Sequence, residues 1–182
     1  MLAVVAAGRR EELLELAYAY VREHGLSDLS LRPLAAAIGS SPRVLLFLFD
    51  SKDGLVKALL ARARAEELAL LEALPASAGL TAASMAVWRW LSADAHRPLL
   101  RLWVEAYARS LLSPVSGPWS GFAAATVADW LAVLAAAEPD SPGALVRRTA
   151  ALAVLRGALL DLLATGDVER TTAAVHQQLR SL

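Results

Sequence analysis

Apolar residues recur three and four positions apart along almost the whole chain, and that spacing predicts one helix after another. From Arg9 to His24, acidic Glu11 and Glu12 occupy the first turn, Leu13, Ala17, Tyr20 and Val21 mark one face, and His24-Gly25 supplies a glycine stop. Ser30 caps a second helix with Pro33 in its first turn, where a missing amide costs little; Leu34, Ala35 and Ile38 form its inner stripe and Gly39 ends it. Ser41 followed by Pro42 signals a third helix, the serine as N-cap and the proline at the first helical position, with Leu45, Leu48 and Phe49 on the inner side. Asp50-Ser51-Lys52-Asp53 breaks the chain again and opens a longer fourth helix to about Leu74, which Pro75 to Leu80 interrupts. Further helices are expected from Thr81 to Ala93, His96 to Leu112, Trp119 to Ala137, Pro142 to Ala164 and Glu169 to Leu182, with a turn at Gly166-Asp167. The expectation is an all-α chain of about nine helices and no strand.

The stretch from Leu31 to Phe49 has a grammar of its own. Two short helices that cross steeply need a small residue where their backbones approach, a turn residue that accepts positive φ, and apolar residues wedged between them. Ala35, Gly39 and the set Leu34, Ile38 and Leu45 meet those demands. A helix-turn-helix of this kind places the N-terminal part of its second helix in the major groove of DNA. The alternative is an ordinary helical hairpin inside a bundle.

The run Ser-Leu-Arg-Pro-Leu-Ala-Ala-Ala-Ile-Gly-Ser-Ser-Pro-Arg-Val-Leu-Leu-Phe-Leu-Phe-Asp-Ser-Lys-Asp-Gly-Leu, Ser30 to Leu55, resembles the N-terminal signature of tetracycline-repressor-type regulators. Phe49, Ser51, Lys52, Asp53 and Leu55 are its most distinctive part, and the likeness covers about Arg9 to Leu60. The resemblance implies an N-terminal three-helix DNA-binding domain, here residues 1–51, followed by a C-terminal helical bundle, residues 52–182, that dimerises and binds an effector. It implies that Ser41, Pro42, Arg43 and Val44 face base edges, that Lys52 meets a phosphate, and that Ser30 and Arg32 lie near the DNA backbone. Arg43 is the side chain in this set able to grip a guanine edge with two hydrogen bonds. The family typically has tyrosine at the position of Leu46, histidine or tyrosine at that of Leu48, and an apolar residue at that of Ser40. The third helix here reads Val-Leu-Leu-Phe-Leu-Phe instead, which leaves Phe47 to pack on sugar or a thymine methyl. The function implied is a repressor that sits as a homodimer on an inverted repeat in double-stranded DNA and is released by a small apolar effector.

Composition narrows the other possibilities. With 182 residues, 57% of them hydrophobic, the chain can bury a substantial core. The absence of cysteine removes disulfides, thiolate nucleophiles and thiolate-bound zinc, and fits a reducing compartment, so a cytoplasmic location is expected. The apolar stretch Met1 to Gly8 is followed by Arg9 and Arg10, the reverse of a secretory leader's order. Ser110 to Ala128 carries no charge over a bilayer-spanning length, but Pro114, Gly117, Pro118 and Gly121 make it read as a loop, so no membrane partner is expected. Eighteen Lys and Arg balance eighteen Asp and Glu, which excludes indiscriminate coating of nucleic acid. Residues 1–64 hold nine basic against seven acidic side chains, a net +2, so the remainder carries nine against eleven, a net −2.

The body offers two further sets. Trp88, Trp103, Tyr107, Trp119, Phe122 and Trp130 lie beyond the fourth helix, either as core fillers or as an apolar ligand site with a few directed hydrogen bonds. Arg101, Glu105, Arg109 and Asp129 can orient such a ligand or form a solvated face. In the helix from Pro142 to Ala164, Leu145, Leu152, Leu155, Leu159 and Leu162 line one side; small residues line the other, so Ala150, Val154, Gly157, Ala158 and Asp161 are candidates for a dimer interface. A monomer with this helix at its centre is the alternative. His24, His96 and His176 lack the i, i+4 partner of a metal site, and no spacing favours a nucleophile triad or paired carboxylates. No metal, cofactor or catalytic residue is therefore expected. The rival functions are a DNA-silent helical binding protein on the same scaffold and a small enzyme.

Overall fold

Helix-forming residues and well-placed breakers set the element order in the computed structural model, which describes residues 2–26, 29–72, 79–112, 117–138 and 140–181. Among the described residues there are α1 (Leu2–His24), α2 (Leu31–Ala37), α3 (Pro42–Phe49), α4 (Lys52–Glu72), α5 (Leu80–Ser92), α6 (Arg97–Leu112), α7 (Phe122–Ala137), α8 (Ala144–Thr165) and α9 (Val168–Leu179), with a short 3-10 helix, Asp94–His96, and no strand. The first helix starts earlier than Arg9: no proline stands before it, and the lone Gly8 costs about 1 kcal/mol without breaking the helix. The uncharged stretch from Ser110 is a loop only in part: Ser110 to Leu112 end α6, and Phe122 onward is α7. Gly117 and Gly121, both at positive φ, hold Trp119 in the turns before α7 rather than inside it. The interruption at Pro75 and the Pro114 part of that connection lie outside the described residues. No single described helix is long and apolar enough to cross a membrane.

Residues Met1–Glu66 with Pro98–Ala123 form one compact unit, and Glu67–Arg97 with Ala124–Leu182 form a second. In the first, Leu13, Ala17 and Val21 of α1 meet Leu34 and Ala35 of α2, Leu45 and Phe49 of α3, and Leu55 and Leu59 of α4, all at most 2% exposed. Each large apolar side chain so buried contributes about 1.5 to 3 kcal/mol. Two positions differ from the sequence reading. Tyr18, not Tyr20, enters this core, while half-exposed Tyr20 stacks on His24. Leu48 is only half-buried.

Polar groups brace the same unit. Arg62 of α4 bonds Glu15 at 2.6 Å and Glu66 at 3.2 Å, and Arg22 of α1 reaches Glu66 at 3.2 Å. Burial, and then the Glu66 carboxylate, push the neighbouring Tyr18 hydroxyl well above the usual phenol range, so it stays protonated. Glu105 of α6 accepts the Leu26 amide at 2.9 Å, which fixes the chain as it leaves α1.

Two glycines are required for different reasons. Gly39, between α2 and α3, has φ +63°, where a Cβ is strained whatever the space around it. Gly54, in the first turn of α4, lies so close to α3 that a Cβ would overlap the Phe49 carbonyl oxygen. Ser51 accepts the Gly54 amide at 2.9 Å and caps α4 there.

In the second unit α5, α8 and α9 pack on one another. The fully buried Trp88 donates its indole N–H to Thr172 at 3.0 Å, and Trp130 donates to buried Glu67 at 2.6 Å. Asp167 caps α9 by accepting the Arg170 amide, and Arg170 grips Asp161 with two bonds of 2.7 Å. The inner face of α8 is Ala144, Arg148, Ala151, Leu152, Leu155, Leu159 and Leu162. Leu145 does not join them; it is 63% exposed, because one residue after Ala144 the helix has already turned outward.

Gly54→Ala is expected to cost about 1 to 3 kcal/mol by overpacking, and Gly39→Ala about 1 to 2 kcal/mol by backbone strain alone; Gly39→Asn, which tolerates that φ, should cost less, with chemical denaturation as the measurement. Hydrogen bonds from Arg170 hold the Asp161 carboxyl below its ordinary range. A depressed carboxyl contributes stability that is present above its unfolded pKa and is lost as pH falls through the folded value. Asp161→Asn should therefore lower the melting temperature at neutral pH but hardly at all well below about pH 4, as scanning calorimetry at the two conditions would show.

Candidate nucleic-acid interface

The turn from α2 to α3 is made by local chemistry. Gly39 takes the left-handed conformation, the Ser40 amide bonds the Ala35 carbonyl at 2.8 Å, and the Ser41 hydroxyl accepts the Val44 amide at 3.3 Å with Pro42 at the first helical position. The two helices consequently meet at 102°, within the range of a helix-turn-helix. Ser30 stands at the N-cap position of α2 but caps no amide with its side chain, contrary to expectation; the third residue of the helix, a usual donor to such a cap, is Pro33, which has no N–H, and Ser30 is exposed.

α3 is anchored from beneath and bare above. Leu45 and Phe49 are buried, and the Arg10 guanidinium lies 4.9 Å from the Phe49 ring centre while its Nε donates to the Leu48 carbonyl at 3.3 Å. That bond satisfies one of the carbonyls a helix leaves open at its C-terminus. The outward face carries Arg43, Val44, Leu46 and Phe47, the last 78% exposed. Arg32 of α2 is exposed, as is Lys52, the first residue of α4. The structure thus brings Ser41, Pro42, Arg43, Val44 and Phe47 together on one eight-residue helix and its cap, with Ser30 and Lys52 at the starts of the helices before and after it.

The aromatic set is divided. Trp103, Tyr107, Trp119 and Phe122 belong to the first unit and Trp88 and Trp130 to the second. Trp103 is buried and stacks on half-exposed Tyr107 at 5.0 Å; Arg109 lies over the half-exposed ring of Trp119 at 5.5 Å; Phe122 is buried. Trp88 and Trp130 are core residues whose N–H groups go to Thr172 and Glu67. Of the four polar residues considered with them, Glu105 holds the Leu26 amide and Arg109 covers Trp119. On α8, Gly157 is exposed and Ala150, Val154, Ala158 and Asp161 are half-exposed, beside a fully outward row of Leu145, Val146, Thr149, Ala153, Leu160 and Ala164. Among the described residues no group of three or more metal-binding side chains comes together.

Sequence reasoning missed Arg10, Gly54 and Glu67, and it singled out Glu105 for a ligand or a solvated face, not as the acceptor of the Leu26 amide. Only Gly54 carried a local signal, a glycine inside a helix's first turn where a better helix former is ordinary. The other three act on residues 38 to 79 positions away.

Residues 13–59 match the family model of bacterial regulatory proteins of the tetR family. A transcriptional regulator from Rhodococcus sp. Rha1 shares the fold with a TM-score of 0.76, 22% identity and 94% of each chain covered. The multidrug binding protein EbrR, solved with ethidium, gives 0.71 at 26% identity over 93% of this chain and 98% of its own. Salmonella enterica GusR gives 0.70 at 19% identity over 95% and 94%. No curated protein sequence matches the chain. The N-terminal helices thus carry the match to the tetR family of bacterial regulatory proteins, and the fold is shared with these solved structures over nearly the full length of the chain.

Proposed function

We propose that the chain is a ligand-responsive repressor that binds an inverted-repeat duplex as a homodimer and is released by a small apolar effector. One observation carries the reading: α3 is capped at its N-terminus, set at 102° to α2 and bare on the face that holds Arg43. In this reading residues 1–51 are the reading head, and residues 52–182 sense the effector and dimerise. Arg43 takes a guanine edge with two hydrogen bonds, Ser41, Pro42, Val44 and Phe47 line the groove beside it, and Ser30, Arg32 and Lys52 meet backbone phosphates. The protein acts in the cytoplasm, on genomic DNA.

The dimer would form along α8 and α9. A helix apolar on its outer face as well as its inner one needs cover on both, and Ala150, Val154, Gly157 and Ala158 are small enough for a second copy to approach closely. Asp161, held by Arg170, would set the rim. Two heads about 34 to 36 Å apart then face successive major grooves.

For the effector, the first unit offers Trp103, Tyr107, Trp119 and Phe122, while Trp88 and Trp130 fill the core of the second. The structures of EbrR with ethidium and with proflavin, both flat aromatic cations, support a flat aromatic molecule. An effector that binds better to a body with different head spacing lowers DNA affinity by that difference, about 1 to 3 kcal/mol, and α4, which supplies residues to both units, is the element to transmit it. A second reading, a DNA-silent binding protein on this scaffold, is favoured by the lack of phosphate donors at Leu46 and Leu48.

Selection from random duplexes at low salt tests the proposal, and enrichment of an inverted repeat is the expected result; no salt-sensitive shift with any duplex favours the second reading. On the selected site Arg43→Ala should cost about 1 to 3 kcal/mol, and Lys52→Ala should weaken all duplexes about equally and flatten the salt slope by about 1. Gly157→Leu together with Leu160→Glu should yield monomers by sedimentation and a loss of affinity for the full repeat.

A further inference from the structure

Of the four side chains on the outward face of α3, three make no hydrogen bond of any kind. At 100° per residue Phe47 falls between Arg43 and Val44, one turn beyond the former, and Leu46 lies on the opposite shoulder. Val44 is 38%, Leu46 41% and Phe47 78% exposed. A phosphate laid against such a surface loses water and gains no donor, which is unfavourable. Base edges in the major groove are almost wholly polar as well, with one exception, the C5-methyl group of thymine.

We infer that Phe47 and Val44 read thymine methyl groups, so that the half-site carries thymine next to the guanine taken by Arg43. The inference rests on the DNA-binding reading above and adds to it a chemical identity for the recognised bases. The occupant follows from what shares the face: a guanidinium stands in its middle, which suits a duplex edge, and the capped N-terminus and the 102° turn present this face outward. Leu45 and Phe49, buried beneath, hold the helix while the outer side chains are exchanged.

The test uses the full chain and the duplex enriched by selection. Each thymine of the half-site is replaced in turn by deoxyuridine, which removes the methyl and keeps every hydrogen-bonding group. Loss of one buried methyl is expected to weaken binding about fourfold at one or two thymines; Phe47→Ala and Val44→Ala, altered at exposed sites that leave the core intact, should each reduce this discrimination, and the double variant should bind thymine and deoxyuridine duplexes equally. If every deoxyuridine duplex binds like its parent, the inference is overturned while the repressor reading stands. Sensitivity that survives in the double variant also overturns it, since the methyl is then read elsewhere. Failure to enrich any duplex overturns the inference and the repressor reading together.

Discussion

Helix α3 is only eight residues long, too short to hold its own shape in water, and so everything it can do depends on how it is pinned. Leu45 and Phe49 insert into the core of α1, α2 and α4. The first turn of α4 comes against the Phe49 carbonyl, at a distance only glycine permits, and Arg10 closes the C-terminal end. Each contact acts on the lower side or the far end. The upper side and the capped N-terminus are left clear, which is the geometry that groove reading needs.

The polar contacts of this chain serve mainly to place helices. Exposed or half-exposed ion pairs such as Arg62 with Glu15 and Glu66 contribute little each, about 0 to 1 kcal/mol, but together with Glu105 on the Leu26 amide they hold α1 at both its neighbours. Buried indoles show the same economy. Trp88 and Trp130 bring large apolar area into the second unit, and Thr172 and Glu67 satisfy the N–H groups that burial would otherwise strand.

The tetR-family match of residues 13–59 and the fold shared with EbrR and the Rhodococcus regulator are the frame against which this chain varies. The variation is concentrated on α3. Where hydrogen-bonding side chains are expected from the family resemblance, Leu46 and Leu48 stand, and Phe47 projects further than either. In the proposed function, a head of this composition would shift the balance from phosphate contacts, which bring affinity without sequence information, toward contacts with base edges, which carry it.

Helix order, the α2–α3 turn, the Ser41-Pro42 cap and the likeness of the N-terminal helices to the tetR family were all legible in the amino-acid sequence. Each is set by rules that act within a turn or two: capping, the φ of Gly39 and apolar spacing. Tertiary structure alone decided that Tyr18 is buried and Tyr20 is not, that Leu145 faces outward, that Gly54 is needed for space, and that Glu67, Glu105 and Arg10 serve partners far along the chain. In so alanine- and leucine-rich a sequence almost every helical face is apolar, so periodicity cannot choose the buried one. That choice falls to whichever distant helix packs against it.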